Sequence, residues 1–350
     1  MHRFDYNFLD NSLLPSGLVD VTAGISSLKT LAQVRKKDYA KAFTELESIA
    51  RIQSVRGSNA IEGIVTSDER IAAIVNANSA PLNHDEAEIA GYRDALAEVH
   101  TNYEILQFSE SDILGLHRIM LSLVPDGSGG TYKADDNVIM EIDAQGMRRV
   151  RFRPIPAVQM QQAMEQLLLA YLDARDNASI NQLLLIPCVI LDFLCIHPFR
   201  DGNGRMSRLL SLLLLYKNGF DAGKYISFEE QINQQKTGYY EALRQSSVGW
   251  HENANDYFPF MGDFLRTLYR CYQELDRRFA TVEGGRATKS GRIEAVVLGS
   301  LTPLSKREIC EILPDVSPTT VEAVLGRMVR EGSIAKIGAG RATRYKKAAL

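Results

Sequence analysis

The sequence is poor in cysteine, and its four cysteines show no paired spacing, so it predicts neither a zinc site nor a disulfide framework. It also lacks an apolar run long enough to cross a bilayer, because the longest one, residues 183–196, is short and contains Asp192. The first ten residues, MHRFDYNFLD, lack the apolar core of a secretory signal. We therefore expect a cytoplasmic protein that does not enter a membrane.

An excess of positive charge is missing as well. The chain has 40 basic and 43 acidic side chains, and this balance predicts no general affinity for nucleic acid. The charge is uneven, however, because residues 286–350 carry 12 basic and 6 acidic side chains. This asymmetry indicates a separate C-terminal module, which has either an anionic partner or merely a basic surface.

Hydrophobic periodicity predicts a mainly α-helical chain with one β-hairpin and a small C-terminal domain. The pattern divides the 350 residues into a helical region at 1–105, a core at 106–280, a linker at 281–291 and a terminal domain at 292–350. No internal repeat is visible. Residues 183–196 are apolar on all sides, which is typical of a helix buried inside a helical domain, and Pro187 either starts this helix or kinks it.

The most informative stretch is CIHPFRDGNGRMSRLL, residues 195–210, which places polar groups between two helices that are predicted to be buried. Polar groups in such a place are costly unless they hold something. Gly202, Asn203 and Gly204 stand where the second helix begins, and backbone N–H groups at a helix N-terminus form a cradle for an anion such as phosphate.

The side chains around this turn have complementary chemistry. Arg205 and Arg208 are three residues apart on one helix face and can reach the same polyphosphate. Asp201 offers the single carboxylate that suits Mg²⁺. His197 can accept a proton near neutral pH. The structural alternative is a glycine turn with a satisfied histidine and two surface arginines.

HPFRDGNGRMSR resembles the signature of Fic-domain proteins, His-x-Phe-x-(Asp/Glu)-Gly-Asn-Gly-Arg-x-x-Arg. The resemblance implies a helical Fic fold and transfer of AMP from ATP to a Ser, Thr or Tyr hydroxyl of a target protein. It implies that His197 deprotonates the hydroxyl and that Asp201 holds Mg²⁺. It also implies that the phosphates are held by Asn203, by the flanking glycine amides, and by Arg205 and Arg208. The related Doc toxins phosphorylate their targets and carry a lysine at the position of Gly204, so glycine there favours nucleotidyl transfer.

The segment SNAIEGI, residues 58–64, has two readings. By spacing alone, Ser58 and Glu62 share a helix face, and Glu62 is a solvated carboxylate near a helix end. The segment also resembles the Fic inhibitory motif, (Ser/Thr)-x-x-x-Glu-(Gly/Asn), located N-terminal to the catalytic motif. This resemblance implies that Glu62 pairs with Arg208 and so competes with the γ-phosphate of ATP.

Three further segments resemble parts of Fic proteins. The hairpin that includes Val138 and Ile139 resembles the flap that docks target proteins, although an ordinary structural hairpin explains it too. Tyr239 matches a position near adenine, or packs in the core. Residues 292–350 resemble a winged-helix domain that binds either DNA or protein. The basic residues of its expected wing are Lys336, Arg341, Arg344, Lys346 and Lys347.

Two alternatives to AMP transfer remain open at this stage. The same site could remove AMP from a modified protein, with Glu62 positioning a water. The chain could instead be a DNA-binding regulator that uses the Fic domain as a nucleotide sensor. The sequence names no target protein, and a homodimer is possible by analogy with relatives.

Overall fold

The computed structural model describes all residues except 1, 12, 126–128, 143–146, 284–288, 301–302, 314–315, 339, 341–342 and 348–350. Three sequence expectations fall on these positions: the turn of the predicted flap at 143–146, residues 284–288 of the predicted linker, and Arg341. They lie outside the described residues.

The prediction of a mainly helical fold with a β-hairpin is confirmed. The helices are α1 (Phe8–Asn11), α2 (Ser16–Asp38), α3 (Ala40–Ile61), α4 (Asp68–Ala77), α5 (His84–Asn102), α6 (Glu110–Met120), α7 (Ala157–Asp176), α8 (Gln182–Ile196), α9 (Asn203–Lys217), α10 (Phe228–Gln234), α11 (Lys236–Ser247), α12 (Phe258–Glu283), α13 (Lys289–Gly299), α14 (Lys306–Ile312) and α15 (Pro318–Arg330). The strands are β1 (Ile139–Ile142), β2 (Arg148–Phe152), β3 (Ile334–Ile337) and β4 (Arg344–Lys347). None of the helices in the described part of the chain is long and apolar enough to span a membrane.

The first compact unit comprises residues 1–27 and 50–271. Its centre is α8, in which every residue from Leu183 to Ile196 is buried, as the apolar sequence predicts. Helices α7 and α9 pack directly against α8, and α5 packs against α6 and α9. Pro187 lies inside α8 rather than at its start, so the expectation that it begins the helix is wrong.

A buried carboxylate ties the N-terminal segment to α8. Asp192 accepts hydrogen bonds from Trp250 Nε1 at 2.7 Å, Tyr6 Oη at 2.7 Å and Tyr257 Oη at 3.0 Å. The ring of His2 stacks on Trp250 with centroids 4.1 Å apart. Burial raises the pKa of Asp192 to about 7, although the three donors favour the charged form. The first residues of the chain, for which the sequence offers no interpretation, therefore anchor α8, the helix that ends directly before His197.

The second compact unit comprises residues 28–49 and 272–350, and the division does not coincide with the predicted boundaries at 105/106 and 280/281. Within this unit, Phe43 stacks on Phe279, and Arg35 pairs with Asp276 at 2.6 Å. Helices α13, α14 and α15 enclose an apolar cluster that Ile334 of β3 completes. Strands β3 and β4 pair in antiparallel fashion, and an isolated bridge joins Leu304 to Tyr345 of β4.

We predict that Tyr6→Phe weakens the attachment of the N-terminal segment to α8. The change removes one donor to a buried carboxylate and should lower the free energy of unfolding by about 1–2 kcal/mol, measured by urea denaturation. The matched control is Tyr103→Phe, because the Tyr103 hydroxyl meets Glu104 at the exposed surface. Equal losses in the two variants would contradict a special role for the Asp192 network.

Candidate active site

The predicted base lies where α8 ends. His197 adopts the left-handed conformation, with φ 53° and ψ 62°, and its N–H donates to Phe193 O at 3.0 Å. A residue with a Cβ stays in this region only when its surroundings hold it there. The ring is held as well, because Nδ1 lies 3.2 Å from Leu194 O. Since a carbonyl oxygen only accepts, Nδ1 carries the proton and Nε2 keeps a free lone pair.

The protonation state of His197 suits a general base. Burial lowers its pKa to about 4, and the positive charges of Lys133 and Arg151 act in the same direction. The imidazole is therefore neutral near pH 7 and can accept a proton.

A reciprocal pair of hydrogen bonds closes the turn between α8 and α9. Asn203 Oδ1 accepts from the N–H of Phe199 at 2.9 Å, and Asn203 Nδ2 donates to Phe199 O at 2.8 Å. Gly202 caps α9 in the left-handed conformation, with φ 79°, and a Cβ there would lie 2.5 Å from Met120 Cε. The buried Asn203 side chain thus shapes the turn, and its contact with phosphate stays a prediction.

Two side chains outside the motif support this turn, and the sequence analysis missed both. The ring of His117 stacks on Phe199 at 3.7 Å, and its Nε2 donates to Asp201 O at 3.1 Å. Lys133 Nζ donates to Ile196 O, the last carbonyl of α8, at 3.3 Å. A lone histidine on an amphipathic helix and a lone lysine before a hairpin carry no pattern that would distinguish them from ordinary residues.

The two motif arginines have different surroundings. Arg205 is almost completely buried, and its Nη2 lies 2.5 Å from Glu88 Oε2 on α5 and 3.6 Å from Asp201 Oδ2. Its Nε and Nη1 are buried without an acceptor among the described residues. In this structure Arg205 contacts protein carboxylates. Its predicted contact with phosphate stays a prediction.

Arg208 is also buried, and its partners are Ser58 of α3 and Glu62, which directly follows α3. Its Nε donates to Ser58 Oγ at 2.9 Å, while Nη2 donates to Ser58 O at 3.0 Å and to Glu62 Oε1 at 2.8 Å. Burial opposes the charge of Arg208, but the carboxylate of Glu62 raises its pKa. A Cβ at position 204 would meet the Glu62 carboxylate, so glycine there leaves room for the carboxylate beside Arg208.

One face of α3 presents Ser54 and Ser58, and Glu62, four residues after Ser58, directly follows the last residue of the helix. Ser54 Oγ donates to the buried carboxylate of Glu229 at 2.8 Å. Gly57 allows this close approach, because a Cβ there would lie 2.9 Å from the backbone nitrogen of Glu230 on α10. The whole face is therefore fixed by contacts with groups in the protein interior.

A cleft of about 520 Å³ opens beside His197, between the β1–β2 hairpin, the ends of α8 and α9, and α11. The predicted site residues that line it are Glu62, Ile139, His197, Gly204, Arg208 and Tyr239. The predicted residues outside its lining are Ser58, Val138, Asp201, Gly202, Asn203 and Arg205. The structure thus brings the predicted base His197, the motif arginine Arg208 and Glu62 to one cavity.

Further residues of this cleft were given no role by the sequence analysis. Arg151 and Phe152 belong to the second strand of the predicted flap, and Thr237, Tyr240, Glu241 and Arg244 lie on α11. The pair Tyr239 and Tyr240 was a usable signal for α11, since adjacent helix positions can border one cavity. Arg151 lies within the β-prone run RRVRFR, residues 148–153, which distinguishes none of its arginines from the others.

Comparison with known proteins agrees with this geometry. Residues 107–215, which include the turn and His197, match the model of the Fic/DOC family. A crystal structure of a Fic family protein from Desulfovibrio desulfuricans superposes over 97% of this chain and 98% of that chain, with a TM-score of 0.62 and 21% identity. Residues 107–215 thus match a Fic domain.

Two curated proteins are similar to parts of the chain. The protein adenylyltransferase Fic of Nematostella vectensis is 29% identical over 234 residues, which are 63% of this chain and 47% of that protein. A Fido domain-containing protein of Dictyostelium discoideum is 44% identical over 59 residues, 16% of this chain and 41% of that protein. The chain thus matches about half or less of the length of these relatives.

The Fic domain offers a single carboxylate to a metal ion. The side chain of Asp201 is 70% exposed, and its Oδ1 accepts from the N–H of Gly202 at 2.6 Å. No group of three or more His, Cys, Asp or Glu side chains suited to a metal occurs among the described residues. This donor set fits Mg²⁺ that takes most of its ligands from phosphate and water. It does not fit a resident structural metal.

We predict that His197 titrates well below an ordinary histidine. Histidine-selective NMR spectra should place its midpoint near pH 4 because burial penalises the imidazolium form, against about 6.5 for an exposed histidine. The spectrum of His197→Ala assigns the signal by its loss. A midpoint between about 6 and 7 would contradict the buried, neutral base.

Proposed function

We propose that the protein transfers AMP from ATP to a hydroxyl side chain of a target protein. The observation that supports this most directly is the neutral His197, whose free Nε2 stands at a cleft that Arg208 also lines. The cleft can accommodate a nucleotide beside a hydroxyl-bearing side chain. The name of the Nematostella relative supports the same activity.

Each residue of the site has a separate role in the proposed transfer. His197 Nε2 takes the proton of the target hydroxyl, whose oxygen forms a bond to the α-phosphorus. The bond from the α-phosphorus to the bridging oxygen breaks, and pyrophosphate leaves with the electron pair. The glycine amides at the start of α9 and the guanidinium of Arg208 hold the phosphates in line. Mg²⁺, which Asp201 would hold together with the phosphates, supplies positive charge that offsets the charge of the leaving group.

We propose further that Glu62 restrains this activity. Its carboxylate occupies Nη2 of Arg208, a donor that a phosphate oxygen of ATP would need. Loss of this donor leaves the phosphates misplaced, and small misplacements slow an in-line transfer strongly. Ser58 strengthens the restraint because it holds Nε of the same guanidinium.

We predict that Glu62→Gly raises AMP incorporation by roughly 10- to 100-fold, because it frees Arg208 for phosphate. The measurement uses ATP labelled at its α-phosphate and counts label in the protein itself and in lysate proteins. Adding His197→Ala should reduce the signal by about 100-fold or more, since the base is lost. If Glu62→Gly labels neither itself nor any lysate protein, the proposed transfer is wrong.

We predict that Gly57→Ala activates the protein without touching the cleft. The new methyl group would meet the backbone of Glu230, which has little room to move, so α3 must shift and carry Glu62 with it. AMP incorporation should rise severalfold, while the unfolding temperature falls. Gly115→Ala on α6 is the matched control, because no atom outside its own helix lies within 4 Å of the added Cβ. Unchanged incorporation by Gly57→Ala, beside an active Glu62→Gly, would refute this account of the restraint.

We also propose that α13–α15 with β3 and β4 form a winged-helix domain that docks DNA or a protein partner. The order of three helices followed by a two-stranded antiparallel sheet supports the assignment. Some of its basic side chains already have acidic partners, since Arg344 meets Glu308 at 3.0 Å and Lys306 meets Glu322 at 2.7 Å.

A further inference from the structure

The hairpin beside the cleft contains a β-bulge at Arg151. Ile139 of β1 is opposite Phe152 of β2, but the next residue, Met140, is opposite Val150. Arg151 is therefore the extra residue of β2 and has no cross-strand partner. Arg151 and Phe152 both line the cleft, as do Ile139, Met140 and Glu141 of β1. A bulge can redirect a side chain, and bulges are frequent next to active sites.

The guanidinium of Arg151 lacks the acidic partner that the other arginines of the cleft have. Arg208 pairs with Glu62, and Arg244 pairs with Glu241. Arg151 makes no ion pair within the described part of the chain, and its Nε is buried without an acceptor. A buried donor of this kind is costly unless a ligand satisfies it.

Arg151 shares the cleft with His197 and with Tyr240 of α11, since all three side chains line it. Its charge makes a minor contribution, after burial and Lys133, to the low pKa of His197. It also opposes, as a minor contribution, the rise that burial causes in the pKa of Tyr240.

We propose that Arg151 is a further substrate-binding residue, which donates hydrogen bonds to the non-bridging oxygens of the transferred α-phosphoryl group. This inference rests on the proposed AMP transfer. A base that deprotonates the attacking hydroxyl must lie within a few ångströms of the α-phosphorus. The charge that develops there is spread over the phosphoryl oxygens, and a fixed guanidinium stabilises it. Arg151 stays protonated throughout and forms no covalent bond.

The test compares two arginines of the same strand in the Glu62→Gly background. Arg151→Gln removes the donor in the cleft, and Arg148→Gln, the control, removes an exposed arginine that does not line it. Calorimetric titrations use AMP, which carries one phosphate, and adenosine, which carries none. Arg151→Gln should weaken AMP binding about tenfold or more and leave adenosine binding unchanged. Arg148→Gln should change neither.

Equal AMP affinity of the Arg151→Gln and Arg148→Gln variants would overturn the proposal. So would an equal loss of AMP and adenosine affinity, which indicates a structural role. If Arg151→Gln binds AMP normally but no longer labels target proteins, the guanidinium binds an acidic group of the target, and the proposal is again wrong. Should Arg151→Gln fold poorly by its unfolding temperature, Arg151→Lys takes its place, with a smaller loss of AMP affinity expected.

Failure of the proposed AMP transfer is distinguishable from failure of this inference. If the Glu62→Gly background labels no protein, the transfer is wrong, while the comparison of AMP with adenosine still decides whether Arg151 binds a phosphoryl group. If the background labels proteins and Arg151→Gln labels them equally well with unchanged AMP affinity, only the role of Arg151 is refuted.

Discussion

The reciprocal hydrogen bonds between Asn203 and the backbone of Phe199 are the constraint on which the site depends. They close a turn of six residues between two buried helices, so that α8 ends and α9 begins against the same cavity. Because both helices are enclosed by the core, the turn has little freedom to relax. It therefore holds His197 in a left-handed conformation that an isolated peptide rarely adopts. The catalytic geometry is thus a consequence of how two apolar helices are joined.

A second constraint acts on Arg208, the arginine of this turn region that reaches the cleft. Its guanidinium is buried and therefore needs acceptors, and Ser58 of α3 and Glu62, directly after α3, supply three of them. These contacts stabilise the protein and occupy the group that a phosphate would use. Stability and the proposed restraint would therefore arise from the same hydrogen bonds, and a variant that loses one would lose part of the other.

The sequence predicted the helical fold because α8 is apolar along its whole length, and it predicted the phosphate-binding chemistry because glycine, arginine and acid stand close together in the motif. The pairing of Arg205 with Glu88 could not be predicted, since it depends on how α5 packs against α9. The bulge at Arg151 was equally inaccessible, because strand register is decided by pairing with β1 and not by the arginine-rich strand alone. The contact between Glu62 and Arg208, which are far apart in the chain, could be predicted only because both residues lie in motifs that resemble those of a known family. Contacts between distant segments that carry no such motif could not be predicted.

Gly57, between Ser54 and Ser58, is packed against the α10 backbone, and this has a consequence for the restraint proposed above. A displacement of the end of α3 would move Ser54, Ser58 and the adjoining Glu62 together. The proposed restraint would then have two states, and intermediate activity would reflect the fraction of molecules in which this segment is displaced. A dose-response curve measured on many molecules would look smooth, although each molecule would be either restrained or released.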